Sequence, residues 1–239
     1  MCDTCGCGDT EIVSIDVQEK ILAKNDQTAR HNREHFDRHG VFCVNIMGSP
    51  GAGKTALLEA TARAAGGGTK IAAIAGDLAT ENDAKRLEDA GIRSVTINTG
   101  TACHLDASMV HHVLHEMELD GIDYLFIENV GNLVCPAIYD LGQHLNVIAL
   151  AVTEGEDKPL KYPVMFKGAD LVLMTKSDLL PHLPGIELSR IEDSLRHVMP
   201  EPRSFSIAST DNDGIAEWLT WLELARNRTA EREETLATT

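Results

Sequence analysis

Eight residues limit this chain more than any others: GSPGAGKT at 48–55, which satisfies the pattern G-x-x-x-x-G-K-[ST]. The setting matters more than the string. An apolar run at 41–47 precedes it, and a helical run from Ala56 to Ala65 follows. Gly48, Gly51 and Gly53 let the backbone curl, so that its N–H groups, with Ser49, Pro50 and Ala52 between them, face phosphate oxygens. Lys54 then neutralises charge on the β- and γ-phosphates, and the Thr55 hydroxyl is placed to bind Mg2+. A strand, a phosphate-gripping loop and a helix are expected here, and with them a bound nucleotide.

The rest of the chain repeats that alternation. Apolar runs at 41–47, 70–75, 94–98, 123–130, 146–152, 170–175 and 204–208 read as strands, and the segments between them carry helix signals. Near-continuous apolar strands with helices between them imply a sheet covered on both faces. The expected fold is α/β, a three-layer, doubly wound, mainly parallel P-loop nucleotide-binding domain over residues 41–228. Residues 1–10 are rich in Gly and Cys without periodicity and read as a flexible Cys-rich arm. Residues 11–40 read mostly as helix, either docked on the domain or linking the arm to it. The polar stretch 229–239 is expected to fray.

Composition removes several function classes. The chain of 239 residues holds 37 Asp and Glu against 21 Lys and Arg, a net charge of −16. General nucleic-acid binding needs a basic stripe to displace counterions, and attachment to an anionic membrane face needs the same sign of charge. Neither partner is expected. The longest apolar runs fall far short of the roughly 18 residues needed to cross a bilayer. Met1 leads straight into cysteines and acids with no leader pattern, so a cytoplasmic protein is expected.

Further residues refine the nucleotide. TKSD at 175–178 ends the apolar run 170–174. A carboxylate at Asp178 offers two acceptors to the N1–H and exocyclic amine of guanine, a pair that adenine does not present. The Lys176 stem would pack over the ring, with Ser206, Ala208 and Ser209 on its other side. Asp77 and Glu128 each follow an apolar run, where parallel strands deliver ligand-binding groups, and could reach Mg2+ directly or through water. Gly131 stands where backbone must come close to a γ-phosphate. The expected ligand is therefore GTP with Mg2+, and an ATP-using relative is opposed by Asp178.

Six cysteines in a reducing compartment read as metal ligands or buried thiols before disulfides. Cys2, Cys5 and Cys7 crowd the first seven residues beside the chain's amino group. Three sulfurs and a nitrogen can lie in a plane, which suits Ni2+ better than tetrahedral Zn2+. Spacing leaves the metal open, and a redox pair or an incidental tail is the alternative. Cys103-His104 and Cys135 fall on loops after strands, on the nucleotide's sheet edge. Two thiolates and an imidazole would leave a metal short of ligands, inviting water or a second copy of the chain. Buried thiols and a satisfied imidazole are the other reading. His31, His35 and His39 recur at helical spacing, as do His111 and His115. Each set is expected to be a solvated or docking face rather than a ligand set. Cys43, inside a strand, is expected in the core.

MCDTCGC, GSPGAGKT, GDLATENDAKR, TGTACHLDA, ENVGNLVCP, EGEDKPLKYP and TKSDLLP, in this order and over nearly the whole chain, resemble the HypB family. That family comprises nickel-incorporation accessory GTPases of [NiFe]-hydrogenase maturation, within the P-loop group that dimerises around nucleotide. The resemblance implies nickel at Cys2, Cys5 and Cys7, and a second Ni2+ or Zn2+ site at Cys103, His104 and Cys135 near a homodimer interface. It also implies slow GTP hydrolysis used as a switch, with Lys54, Asp77, Glu128 and Gly131 in the catalytic machinery. Metal would pass to the hydrogenase large-subunit precursor with a partner nickel metallochaperone. The usual guanine motif begins with Asn where this chain has Thr175. The loss of an amide that braces the phosphate loop makes modest nucleotide affinity the expectation. A urease-type nickel GTPase and a non-catalytic nickel or zinc buffer are the alternatives.

Overall fold

The structure, a computed structural model, describes residues 10–77, 81–100 and 102–237, with side chains left out at 10–18, 77, 81–84 and 232–237. In chain order the elements are α1 (Thr10–His39), β1 (Phe42–Met47), α2 (Lys54–Ala65), β2 (Ile71–Asp77), α3 (Glu81–Asp89), β3 (Arg93–Asn98) and α4 (Ala107–Leu114). There follow β4 (Tyr124–Glu128), β5 (Leu145–Ala151), the short α5 (Lys158–Lys161) and α6 (Pro163–Lys167), and β6 (Leu171–Thr175). The chain closes with α7 (Leu188–Val198), β7 (Ser204–Ile207) and α8 (Ile215–Ala237). All seven strands pair parallel, in the order β3-β2-β4-β1-β5-β6-β7. The mainly parallel sheet read from the sequence is wholly parallel.

Alternation along β1 shows why. Phe42, Val44 and Ile46 join Leu57 and Leu58 of α2 and Trp218 and Leu222 of α8 on one face. Cys43 joins Phe36 of α1 and Val110 and Val113 of α4 on the other. Every residue of β1 is buried, so neither face tolerates a polar partner unless it is hydrogen-bonded. Asn45 meets that condition, donating to Asn146 Oδ1 at 3.1 Å and accepting from Asn129 Nδ2 at 3.2 Å. Cys43 sits in the core as expected, and burial raises its thiol pKa well above the ordinary range. Trp218, fully buried, donates its indole N–H to Thr61 Oγ1 at 3.1 Å. Truncating it would cost roughly 3–5 kcal/mol.

Helix α1 docks on the domain through polar as well as apolar contacts. Buried Asn32 donates to the carbonyls of Ala107 at 2.9 Å and Leu141 at 3.1 Å. Asn25 accepts from Ala107 N at 2.9 Å and donates to Asp140 O at 2.8 Å. Of the two arrangements open for residues 11–40, docking is the one found. The polar end expected to fray from residue 229 instead continues α8 to Ala237. Its Ala, Glu and Arg residues are strong helix formers that extend a helix already nucleated by its buried first turns. Among the described residues, no helix is long and apolar enough to cross a membrane.

Candidate functional site

In a parallel sheet the strands deliver their carboxyl ends to a single edge, and chain order reverses beside β1, so that edge carries the binding crevice. Residues 48–53 leave β1 there and turn into α2. Gly48 has φ +154°, and a Cβ on it would lie 2.4 Å from the Ala149 carbonyl oxygen. Only glycine fits. Lys54 is buried with Nζ 3.3 Å from the Ser49 carbonyl oxygen, curled into the loop. The Ser49 hydroxyl donates to Glu154, which also accepts from Ala151 N at 3.0 Å and pairs with Lys158 at 3.2 Å.

A cavity of about 460 Å3 opens beside this loop. Pro50, Gly51, Gly53, Lys54 and Thr55 line one wall, and Glu128 and Gly131 another, with Lys176 at the rim. Thr55 donates its hydroxyl to Glu128 Oε1 at 2.9 Å, both groups being buried. Asp77 is the last residue of β2 and pairs in register with Asn98, while its side chain lies outside the described set. Asp178 stands exposed in the turn after β6, and Lys176 enters that turn with φ +60°. Ser206 lies in β7, and buried Ala208 follows that strand, bridged to Asp213.

Thr175 supplies a brace in place of the missing amide. Its buried hydroxyl donates to the Ala52 carbonyl at 2.6 Å, so the phosphate loop is braced from β6 although the amide is absent. The register of β6 against β5 brings Thr175 to the strand's end, where a short hydroxyl reaches the loop.

The second constellation adjoins the first. Cys103 Sγ lies 2.9 Å from Cys135 Sγ, and the ligand atoms of Cys103, His104 and Cys135 all lie within 4.8 Å of one another. Both thiols are free. Bonding to Cys103, and then burial, raises the Cys135 pKa. Burial lowers the pKa of His104, whose ring stacks on Tyr139 at 4.0 Å, so the imidazole is held neutral and competent to ligate. Two soft sulfurs and one imidazole nitrogen are donors that Ni2+ and Zn2+ accept. The cysteines at 2, 5 and 7 lie outside the described residues.

The segment 128–135 joins the two constellations. Asn129 N donates to Ile46 O at 2.9 Å, and Asn132 forms an antiparallel bridge with Gly48. A Cβ on Gly131 would lie 2.9 Å from Pro50, so this backbone is seated against the phosphate loop. Asn132 Nδ2 donates to the Cys103 carbonyl at 3.1 Å, and its Oδ1 accepts from Val134 N at 3.1 Å. Neither Asn132 nor Tyr139 stood out in the sequence. For Asn132 the available signal was its position between Gly131 and Cys135.

Sheet order, loop and cavity define a P-loop nucleotide-binding protein with two thiols and an imidazole gathered at the same edge. The family model of the CobW/HypB/UreG nucleotide-binding domain matches residues 42–205. The hydrogenase maturation factor HypB of Rhizobium leguminosarum bv. viciae is 47% identical over 92% of this chain and 73% of its own length. A Helicobacter hepaticus relative described as a hydrogenase/urease maturation factor HypB is 42% identical over 89% of this chain and 88% of its own. The crystal structure of Helicobacter pylori HypB in complex with nickel superposes with a TM-score of 0.81 at 38% identity, covering 86% of this chain and 96% of that one. The chain belongs to the HypB family of hydrogenase maturation factors.

Proposed function

We propose that this chain is a GTPase that carries nickel to the [NiFe]-hydrogenase large-subunit precursor, its nucleotide state setting the grip of Cys103, His104 and Cys135 on the ion. The observation that carries this reading is the shared segment: residues 128–135 touch the phosphate loop at one end and supply a thiol at the other. In this reading Lys54 and the loop N–H groups hold the β- and γ-phosphates, and Asp178 reads guanine, with Lys176, Ser206 and Ala208 around the base. Glu128 and Asp77 orient water or the cation, and Gly131 meets the γ-phosphate. Thr55 and Glu128 present facing buried oxygens, the hard donors Mg2+ takes, so the residues fit that cation. Bound there, Mg2+ would neutralise charge between the phosphates.

Nickel is cargo, with zinc a competing occupant of the same donors. Cys2, Cys5 and Cys7 are assigned to nickel loading, and a partner metallochaperone to its handover. Three ligands leave an open coordination position. Exposed Val134 and Ile138, which flank Cys135, support a homodimer in which a second copy closes the site. Free thiols support action in the reducing cytoplasm. A second reading, nickel supply to urease, is favoured by the Helicobacter hepaticus relative, a hydrogenase/urease maturation factor.

Coupling between sites is reciprocal, so nucleotide and metal must alter each other's affinity by the same factor. Titrating a non-hydrolysable GTP analogue with and without Ni2+ tests this. A shifted isotherm is expected, and superimposable curves would overturn the switch. A phosphate-release assay with Lys54→Ala as control separates a GTPase from a passive metal buffer.

A further inference from the structure

The two histidine sets converge. Helix α1 lies along α4, and the His31 and His111 ring centroids come within 5.0 Å, edge to face. His111 and His115 stand 4.5 Å apart by centroid, with their Nε2 atoms 3.1 Å from each other. His35 completes the ridge, 4.8 Å from His39. Burial, and then the charges of His39, Arg38, His115 and His31, lowers the pKa of His35, which places it among these rings.

The tautomer of His111 follows from its neighbours. Asn32 is buried and its Nδ2 donates to two carbonyls, so the atom facing His111 Nδ1 at 3.0 Å is the amide oxygen, an acceptor. Nδ1 of His111 therefore carries the proton, and Nε2 presents its lone pair to His115. Metal-binding histidines have this arrangement, one nitrogen donating to a fixed oxygen while the other ligates. Two nitrogens each about 2.0–2.1 Å from one ion, at a right or tetrahedral angle, lie roughly 2.9–3.4 Å apart. The observed 3.1 Å falls inside that window.

We propose that His111 and His115 form a two-imidazole binding site for one imidazole-preferring divalent ion, Ni2+ or Zn2+, separate from the thiol cluster, with the His31 ring packed edge to face against it. Before binding, the Nε2 proton of His115 bridges the two rings. The ion takes its place, and His115 passes to its Nδ1–H tautomer with no net change of charge. Imidazole suits both ions. The chain's net charge of −16 raises the local concentration of cations at such a surface. Helix α4 begins three residues after His104, so the ridge lies on the element that leads away from the thiols.

The test is an anaerobic Ni2+ titration of the full chain with two readouts. Equilibrium dialysis counts all bound nickel, and near-ultraviolet sulfur-to-nickel charge-transfer bands report only thiolate sites. Dialysis is expected to exceed the sulfur-reported amount, and the His111→Gln/His115→Gln variant should lose about one equivalent with its charge-transfer bands unchanged. Equal nickel binding by parent and variant would overturn the site, as would loss of the sulfur bands together with the missing equivalent. If circular dichroism shows the double variant unfolded, His115→Ala, at an exposed ring, takes its place. It should bind the histidine-held nickel at least about tenfold more weakly, and unchanged affinity would again overturn the proposal.

Discussion

Gly48 and Asn132 pair backbone to backbone in an isolated antiparallel bridge, which ties the phosphate loop to the segment that carries Cys135. The Asn132 side chain then holds the Cys103 carbonyl at 3.1 Å, so a single residue spans both constellations. Asn132→Ala keeps the backbone bridge and removes the amide. Groups that orient ligands from behind are typically worth 10–100-fold in metal affinity, and about that loss of Ni2+ affinity at Cys103 and Cys135 is expected. Nucleotide affinity should hold. Competition against a chromophoric chelator reads the effect, and undiminished nickel binding would show that Asn132 does not position Cys103.

Thr175→Val isolates the brace from β6. The side chains match closely in shape, but valine leaves the Ala52 carbonyl without the hydroxyl that now meets it at 2.6 Å. An orphaned buried acceptor costs about 1–3 kcal/mol. The phosphate loop should loosen, with weaker GTP binding and a lower melting temperature. Thr175→Ser, which keeps the hydroxyl, should recover most of both, and fluorescence titration with a labelled GTP checks it.

Much of this arrangement could be read from residues alone, for definite reasons. Parallel strands buried on both faces are continuous apolar runs, so the central strands could be located, β1 most plainly because every residue is buried, while the partly exposed edge strands β3 and β7 showed shorter runs. The phosphate loop was legible because each of its residues answers to a local requirement, as Gly48 does beside Ala149. The Thr175 brace was not legible because the reach of its hydroxyl depends on where β6 ends, which is a tertiary fact. His111 and His115 read as a solvated or docking face, and helical spacing cannot disclose which residues dock there, namely His31 and Asn32 of α1. The extent of α8 was missed because polar residues at a chain end look alike whether or not a core anchors the helix before them.

Asp178→Asn probes base choice. Xanthine carries a carbonyl where guanine carries its exocyclic amine, so an amide that both donates and accepts complements xanthine as the carboxylate complements guanine. The variant should lose affinity for GTP and gain it for xanthosine triphosphate. A net swing of about 3 kcal/mol, near a hundredfold, is the scale for charge-assisted hydrogen bonds. Competition between the two nucleotides measures it. Unchanged GTP affinity would remove Asp178 from the base site.

Metal binding at Cys103, His104 and Cys135 should release protons. The Cys135 thiol has its pKa raised by its contact with Cys103 and by burial, so its sulfur holds its hydrogen more firmly than a free thiol does. His104, with its pKa lowered by burial, is already neutral and has no proton to give. An ion that takes both sulfurs as thiolates displaces about two protons, because thiols ordinarily carry hydrogen at neutral pH and the thiolate is the ligating form. Affinity should climb with pH by up to about a hundredfold per unit until Cys135 ionises on its own, and fall as acid returns the hydrogens. Calorimetry in buffers of different ionisation enthalpy counts the protons, using a Cys2/Cys5/Cys7 triple-Ala variant so that only this cluster reports. A count near zero would mean that the sulfurs are not the ligands.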